Sequence, residues 1–289
     1  MLKVSVIIPT CKRDESLIGT LKSILNQTYF DYEIIIIDQN DVVSSNLANL
    51  INNNKEKIKH FNVDFQSGVR GRNEGMKLAR GEILIFCDDD IEAAKNFIES
   101  HYNNYSDPRI GGVAGRVTTD SDIPVSGGQK IGIIRKWDAK VISNFNSTVR
   151  AEVEHAWGCN MSFRKNLLIK AGGFDERLRG TQSFDDASAC FAVRRLGYKI
   201  VFDPLAEVKH LFAPSGGCRD MSFAKKMYWF YHNYMIFHLR FMPRLLLPIF
   251  LAKKILGITS LSIRKKDFKV ISLCIKGLID GLRDYRQKT

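Results

Sequence analysis

EILIFCDDD, residues 82–90, decides the reading: an unbroken apolar run leads straight into three consecutive aspartates. A run of this length, rich in isoleucine and phenylalanine, reads as a strand covered on both faces, the kind a parallel sheet contains. Two upstream stretches have the same character. KVSVII (3–8) predicts a buried strand closed by Pro9, and EIIII (33–37) predicts another with Asp38 at its carboxyl end. Between them Leu17, Ile18, Leu21, Ile24 and Leu25 recur at helical spacing within 14–27. Helices are also expected over 42–58 and 72–80, with a strand at 60–65 and a glycine-rich turn at 68–71. This alternation predicts a doubly wound α/β sheet, in which ligands gather beyond the carboxyl ends of the strands. Asp38 and Asp88–Asp90 both fall there.

Adjacent carboxylates repel one another unless a cation neutralises them, and a divalent ion is the simplest neutraliser. Mg²⁺ and Mn²⁺ prefer oxygen donors. Asp88 and Asp90 can therefore bracket one ion while Asp89 points away. The residues alone leave open a solvated acidic turn that caps a helix over 91–99. Farther along, glycine-rich turns near 111–115 and 127–132 predict irregular strands and a loop across 110–165. A helix is expected over 184–196 and a strand over 198–202, closed by Pro204. No internal repeat is visible.

The 289 residues suffice for one substantial core and an appendage, expected as a catalytic domain over 1–218 and a helical tail over 219–289. Six widely spaced cysteines form no C-x-x-C pair, which fits a reducing compartment. The first apolar run meets Pro9 too soon for a secretory leader, so Met1 is expected to open the folded chain. Net charge is +12, and residues 219–289 carry 15 Lys and Arg against 4 Asp and no Glu. The body is therefore close to neutral and the tail strongly basic. An anionic partner follows, and phospholipid is favoured over nucleic acid because no nucleic-acid motif accompanies the charge.

SVIIPTCKR (5–13), Asp38, GVRGRNEGMKLARGEILIFCDDD (68–90), WGCNMSFRK (157–165), AGGFDERL (171–178) and GYKIVFDPLAEVKH (197–210) occur in this order. The series resembles the family 2 glycosyltransferases, which have the GT-A fold, and the likeness covers roughly residues 3–212. It implies an inverting, metal-dependent transfer of sugar from a nucleotide-diphosphate donor, UDP-sugar favoured, with Mn²⁺ or Mg²⁺ as cofactor. By that resemblance Pro9, Thr10 and Arg13 line the nucleotide pocket and Asp38 hydrogen-bonds the base. Arg72 and Asn73 hold the donor near its phosphates and sugar, with Asp89 beside them. Asp88 and Asp90 form the D-x-D element, and His210 completes the metal site.

Inversion requires a carboxylate that takes the acceptor hydroxyl's proton as its oxygen attacks opposite the diphosphate. The family places this base second in an E-D pair at the start of a helix, which corresponds here to Asp185–Asp186, with Asp186 the base. Two departures stand out. Asp185 replaces the family's Glu, and Ala192 occupies a position where many relatives carry Arg. Trp157, Gly158 and Asn160, together with Asp185, resemble the acceptor side, where Trp157 can stack on a sugar ring or belong to the core.

In the tail, Phe223, Met227, Phe230, Tyr234, Phe237 and Phe241 fall on one helical face. Pro243, Arg244, Lys253 and Lys254 are expected to break the apolar runs short of the roughly 18–20 residues that span a bilayer. The tail can lie on an anionic membrane, bringing the site to a lipid-linked glycan acceptor, or pack on the body or a second copy of the chain. A sugar-phosphate nucleotidyltransferase is the alternative enzyme, although PTCKR lacks the glycine-rich loop it needs. A non-catalytic, membrane-docking module that binds nucleotide sugar is the other alternative. Dinucleotide binding is excluded, because no G-x-G-x-x-G follows the first strand.

Overall fold

The computed structural model describes residues 3–122 and 128–287. The chain opens with Val4–Thr10 (β1), Asp14–Leu25 (α1), Tyr32–Asp38 (β2), Ser45–Asn53 (α2), Ile58–Asn62 (β3), Gly68–Leu78 (α3) and Ile83–Cys87 (β4). β1 pairs in parallel with β2 and β4, and β2 with β3. Alternate side chains enter two different cores. Val6, Ile8, Ile34, Ile36 and Ile85 pack with Leu17 and Leu21 of α1 and Leu47 of α2, whereas Ile7, Ile35, Ile37, Leu84 and Phe86 pack with Val69 and Met76 of α3. A strand with helices on both faces has no polar side to spare, hence the unbroken apolar runs.

Several boundaries differ from expectation: α2 is shorter than 42–58, and β3 occupies Ile58–Asn62 rather than 60–65. Ser67 accepts a hydrogen bond from the Arg70 amide at 3.3 Å, so the expected turn at 68–71 is the first turn of α3. β1 continues through Pro9 to Thr10, because β4 pairs with it only as far as Ile7 and no ladder bond on that side is lost.

Next come Ile91–Ala93 (β5), Phe97–Asn103 (α4), Ile110–Thr118 (β6), a ribbon of Ile133–Arg135 (β7) and Lys140–Ile142 (β8), then Ala151–Val153 (β9). Asn160–Arg164 (β10), Lys165–Lys170 (α5), Asp185–Arg195 (α6) and Lys199–His210 (β11) complete the body. Where a helix over 91–99 was the alternative, Ile91 and Ala93 are buried strand residues paired with β11. β11 also runs well past Pro204. Its register against β6 shifts between Asp203 and Glu207, and this irregularity accommodates the proline. The main sheet has the order β3-β2-β1-β4-β10-β6-β11-β5, with β9 added on β11. It is parallel through β4 and mixed beyond, since β10 runs antiparallel to both β4 and β6.

Three helices follow: Phe223–Phe241 (α7), Leu247–Lys265 (α8) and Lys269–Arg286 (α9). They share one apolar cluster with the body, in which Tyr234 and Phe237 of α7 meet Phe184 and Ala187, Ile134 of the ribbon, Phe250 and Ile258 of α8, and Cys274 and Leu278 of α9. The aromatic face of α7 thus points mainly into protein. Of its six apolar residues Tyr234 and Phe237 are buried, Met227, Phe230 and Phe241 half-buried, and only Phe223 exposed. α8 departs further from expectation. Residues 244–264 form a helix long and apolar enough to cross a membrane by length and composition, despite Lys253 and Lys254, and only 17% of the apolar window is buried.

α7 and α9 touch backbone to backbone at Gly277, where a Cβ would lie 2.3 Å from the Tyr228 carbonyl oxygen. Gly277→Val must therefore force the helices apart. Overpacking of this kind costs up to about 3 kcal/mol, and the melting temperature should fall by roughly 5 °C or more. An unchanged thermal melt would refute the close contact.

Candidate active site

A cleft of about 690 Å³ opens at the carboxyl ends of β1 and β4. Pro9, Thr10 and Arg13 reach it from β1 and the turn that follows, Arg72 from α3, and Asp88 and Asp89 from the end of β4. Trp157 and Gly158, Asp185 and Asp186 from the start of α6, and His210 from the end of β11 complete the set. Residues as much as 201 positions apart in sequence thus meet because β1, β4 and β11 end on one side of the sheet.

Each aspartate of the 88–90 cluster has a different fate. Asp89 is buried, accepting from the Thr10 hydroxyl at 2.7 Å and the Arg13 guanidinium at 2.9 Å. Burial nevertheless pushes its carboxyl up to about 6. Burial also works against the Asp88 carboxylate, but the neighbouring His210 imidazole and the charge of Arg72 outweigh it and hold that carboxyl below the usual range. Asp90 lies behind the cleft wall. Its Oδ2 accepts from the Ala213 amide at 2.8 Å and from Arg219 at 3.1 Å. Its Oδ1 is buried with no hydrogen-bond partner and sits 3.3 Å from His210 Nε2, which is 3.7 Å from Asp88 Oδ2.

These donors fit a divalent ion. A buried carboxylate oxygen without a donor is costly and calls for a cation, and two carboxylates with one imidazole form a hard oxygen and nitrogen set. The ligand atoms that lie within 4.8 Å of one another are those of Asp88, His210 and Cys159, with Asp90 joined to this group through the 3.3 Å contact to His210. Burial, with Asp88, Asp186 and Asp90 nearby, raises that thiol well above its ordinary range, so it remains protonated.

Arg72 joins the two halves of the site. Its guanidinium donates to Asp185 at 2.7 Å and to Asp88 at 3.3 Å, while its Nε has no partner. Asp186 Oδ2 accepts from the Gly158 amide at 3.0 Å. Burial raises both carboxyls of the Asp185–Asp186 pair, and Arg72 opposes that rise. Phe184, directly before the pair, adopts a left-handed backbone with φ 72°. Its ring stacks on Tyr234 and Phe237 of α7, at 4.5 and 5.1 Å between centroids. The cleft wall at 179–183 is tied to the same helix. Asn233 exchanges two hydrogen bonds with the Arg179 backbone, and Gly180 lies flat on Trp229, at φ 64°, where no Cβ fits.

Besides Asp90, three expected residues do not line the cleft. Asp38 is fully buried, accepting from His60 at 2.8 Å and the Asn40 amide at 3.0 Å, and the neighbouring Gln39 lines the cleft instead. Asn73 exchanges hydrogen bonds with both backbone groups of Phe174 and donates to Glu176, so it braces the 171–178 turn. Asn160 is clamped among His101 and the carbonyls of Arg116 and Ala206. Sequence reasoning missed Arg219, which it assigned to the tail, and the wall at 179–183. Only the fold brings the turn after β11 back to Arg13, which donates to the carbonyls of Ser215 and Gly216.

The doubly wound sheet with its site at the strand ends is that of the GT-A glycosyltransferases. Solved structures similar to the chain include GalNAc-T7 with UDP, GalNAc and Mn²⁺ (TM-score 0.62, 17% identity, 82% of this chain and 50% of that one). A mannosyltransferase from Pyrobaculum calidifontis, in complex with GDP-Man and Mn²⁺, aligns with TM-score 0.57 and 14% identity over 97% of this chain and 75% of its own. The chain belongs to glycosyl transferase family 2, whose model matches residues 5–172. Among its relatives, a glucosyl-dolichyl phosphate glucuronosyltransferase of Haloferax volcanii is 25% identical over 72% of this chain and 69% of its own length. The Staphylococcus aureus poly(ribitol-phosphate) β-N-acetylglucosaminyltransferase TarP is 37% identical over 40% of this chain and 38% of its own. A GalNAc(5)-diNAcBac-PP-undecaprenol β-1,3-glucosyltransferase of Campylobacter jejuni is 42% identical over 32% of this chain and 31% of its own.

Proposed function

We propose that this glycosyltransferase moves a sugar, with inversion, from a nucleotide-diphosphate donor to a hydroxyl of a lipid-linked glycan during bacterial surface-polysaccharide assembly. A UDP-sugar is the favoured donor, and the cytoplasmic side of the cell membrane the expected place. The observation that carries the reading is one cleft in which Arg72 bridges Asp185, beside Asp186, to Asp88, beside His210. The named acceptor of the Campylobacter jejuni relative supports a lipid carrier.

Asp88, Asp90 and His210 would hold Mn²⁺ or Mg²⁺, which when bound would neutralise charge on the departing diphosphate. Arg72 favours the ionised form of the carboxylates in both halves, against the effect of burial, and fixes Asp185 and Asp88 in place. Asp186 removes the acceptor hydroxyl's proton while that oxygen bonds to the anomeric carbon, whose bond to the diphosphate breaks on the opposite side. Burial favours the protonated form of Asp186, which makes its carboxylate a stronger base than a solvated one. The 179–183 wall and Trp157 shape the acceptor side.

Calorimetric titration of UDP with and without Mn²⁺ tests the donor half. Mn²⁺ should tighten UDP binding to the native chain, and Asp90→Ala should weaken that metal-linked binding by at least about 10–100-fold. Identical titrations of the two proteins would count against the metal site. Tight binding with no UDP release from any UDP-sugar and acceptor would instead mark a docking module that has kept the fold.

A further inference from the structure

Leu245, Ile249, Leu256 and Ile263 are exposed by 89, 48, 66 and 62%. Three of them recur every seven residues, and an α-helix drifts only about 20° per heptad, so they form one continuous stripe along α8. The opposite face carries Phe250, Ile258 and Ser262, all buried against the protein. Phe268, at the turn between α8 and α9, extends the stripe at 69% exposure, and Ile275 and Ile279 of α9 are also exposed. Lone exposed apolar residues are ordinary, but an aligned series on one helix marks a contact surface.

Charge identifies the partner. Residues 244–266 contain Arg244, Lys253, Lys254, Arg264, Lys265 and Lys266 and no acidic residue. On a helical projection Lys253 and Arg264 fall just beside the stripe, where long basic side chains can reach headgroups while the apolar row enters the acyl boundary. We propose that α8 docks the enzyme on an anionic phospholipid bilayer, lying in its plane with Leu245, Ile249, Leu256, Ile263 and Phe268 immersed. Spanning is disfavoured by geometry, because a helix with Phe250 and Ile258 seated in the protein core cannot also be surrounded by lipid. The surface differs from the aromatic face of α7, which is taken up by the core. α8 packs on α7 through Phe250 against Tyr234 and His238, and α7 carries the 179–183 wall and Phe184, so the docking helix and the acceptor side belong to one packed unit. This deepens the reading of a lipid-linked acceptor and rests on it only for the purpose of docking.

The test uses the full chain and vesicle flotation. Native protein should float with vesicles of phosphatidylglycerol and phosphatidylcholine, stay behind with phosphatidylcholine alone, and be stripped by carbonate. Leu256→Asp with Ile263→Asp should lower the floated fraction at least tenfold without changing the thermal melt or the binding of UDP with Mn²⁺. Leu245→Asp, at the most exposed position, provides a milder second variant and should reduce flotation in the same direction. Flotation of the double variant at the native level, or no flotation of the native chain, overturns the proposal. So would retention through carbonate, which indicates a spanning helix, or a dimer in sedimentation that the substitutions dissociate while vesicles bind neither form. UDP binding is read separately, so failure of the docking surface and failure of the transferase reading give different results.

Discussion

Asp186→Asn should lower the rate of sugar transfer by roughly a thousandfold, within the ~10²–10⁴ range that a positioned general base contributes, while UDP binding with Mn²⁺ stays at the native level. Asparagine preserves the shape of the side chain and can still accept from the Gly158 amide, which bonds Asp186 Oδ2 at 3.0 Å. What it cannot do is take up a proton. Single-turnover transfer and calorimetry on the same preparation separate the two effects. Normal turnover by the variant would remove Asp186 from the mechanism, and a parallel loss of UDP affinity would make it a binding residue.

Arg72→Ala is expected to damage stability and activity together. Arg72 is only 7% exposed, and its removal leaves the Asp185 carboxylate, 6% exposed, without its cation. Breaking a buried pair in this way costs about 3–5 kcal/mol, visible as a lower urea midpoint. The deficit should depend on pH. An unpaired buried carboxyl has a higher pKa folded than unfolded, so its contribution is intact below the unfolded value and is lost as pH rises through the folded one. Measured against the native chain, the loss should be larger at pH 8 than at pH 5. Arg72→Lys should not restore activity, since an ammonium offers one point of charge where the guanidinium spans Asp185 and Asp88. A loss equal at both pH values would mean that Asp185 does not depend on Arg72.

Three strands of the parallel half, β1, β2 and β4, could be read from the sequence because each carries buried apolar side chains on both faces, a pattern that helices on both sides impose, whereas β3 (IKHFN) has no such run. The strand end at Asp88 was legible for the same reason, since carboxylates directly after a buried run must be neutralised or solvated. β11 was read too short because Pro204 looks like a terminus until a bulge is seen to accommodate it. Asp38 and Asn160 carry motif positions but are consumed by buried hydrogen bonds, and hydrogen bonding between distant segments has no local signature. Arg219 was hidden differently. Its partner, Asp90, lies 129 residues away, and only the return of the chain after β11 joins them. In the tail, the apolar face was expected on residues 223–241. Which helix keeps that face free was decided by packing: α7 fills its aromatic row with Phe184 and α9, leaving the row on α8 uncovered.

Phe184 has one further implication. The segment matched by the family model ends at residue 172, twelve positions short of this ring, and the ring is wedged into α7, farther away still in sequence. Orientation of the carboxylate at 186 is thereby delegated to a part of the polypeptide outside the matched segment. Mutations accumulating in the C-terminal helices could re-aim the proposed base toward a different incoming sugar, leaving the β1–β4 half and whatever nucleotide it binds undisturbed.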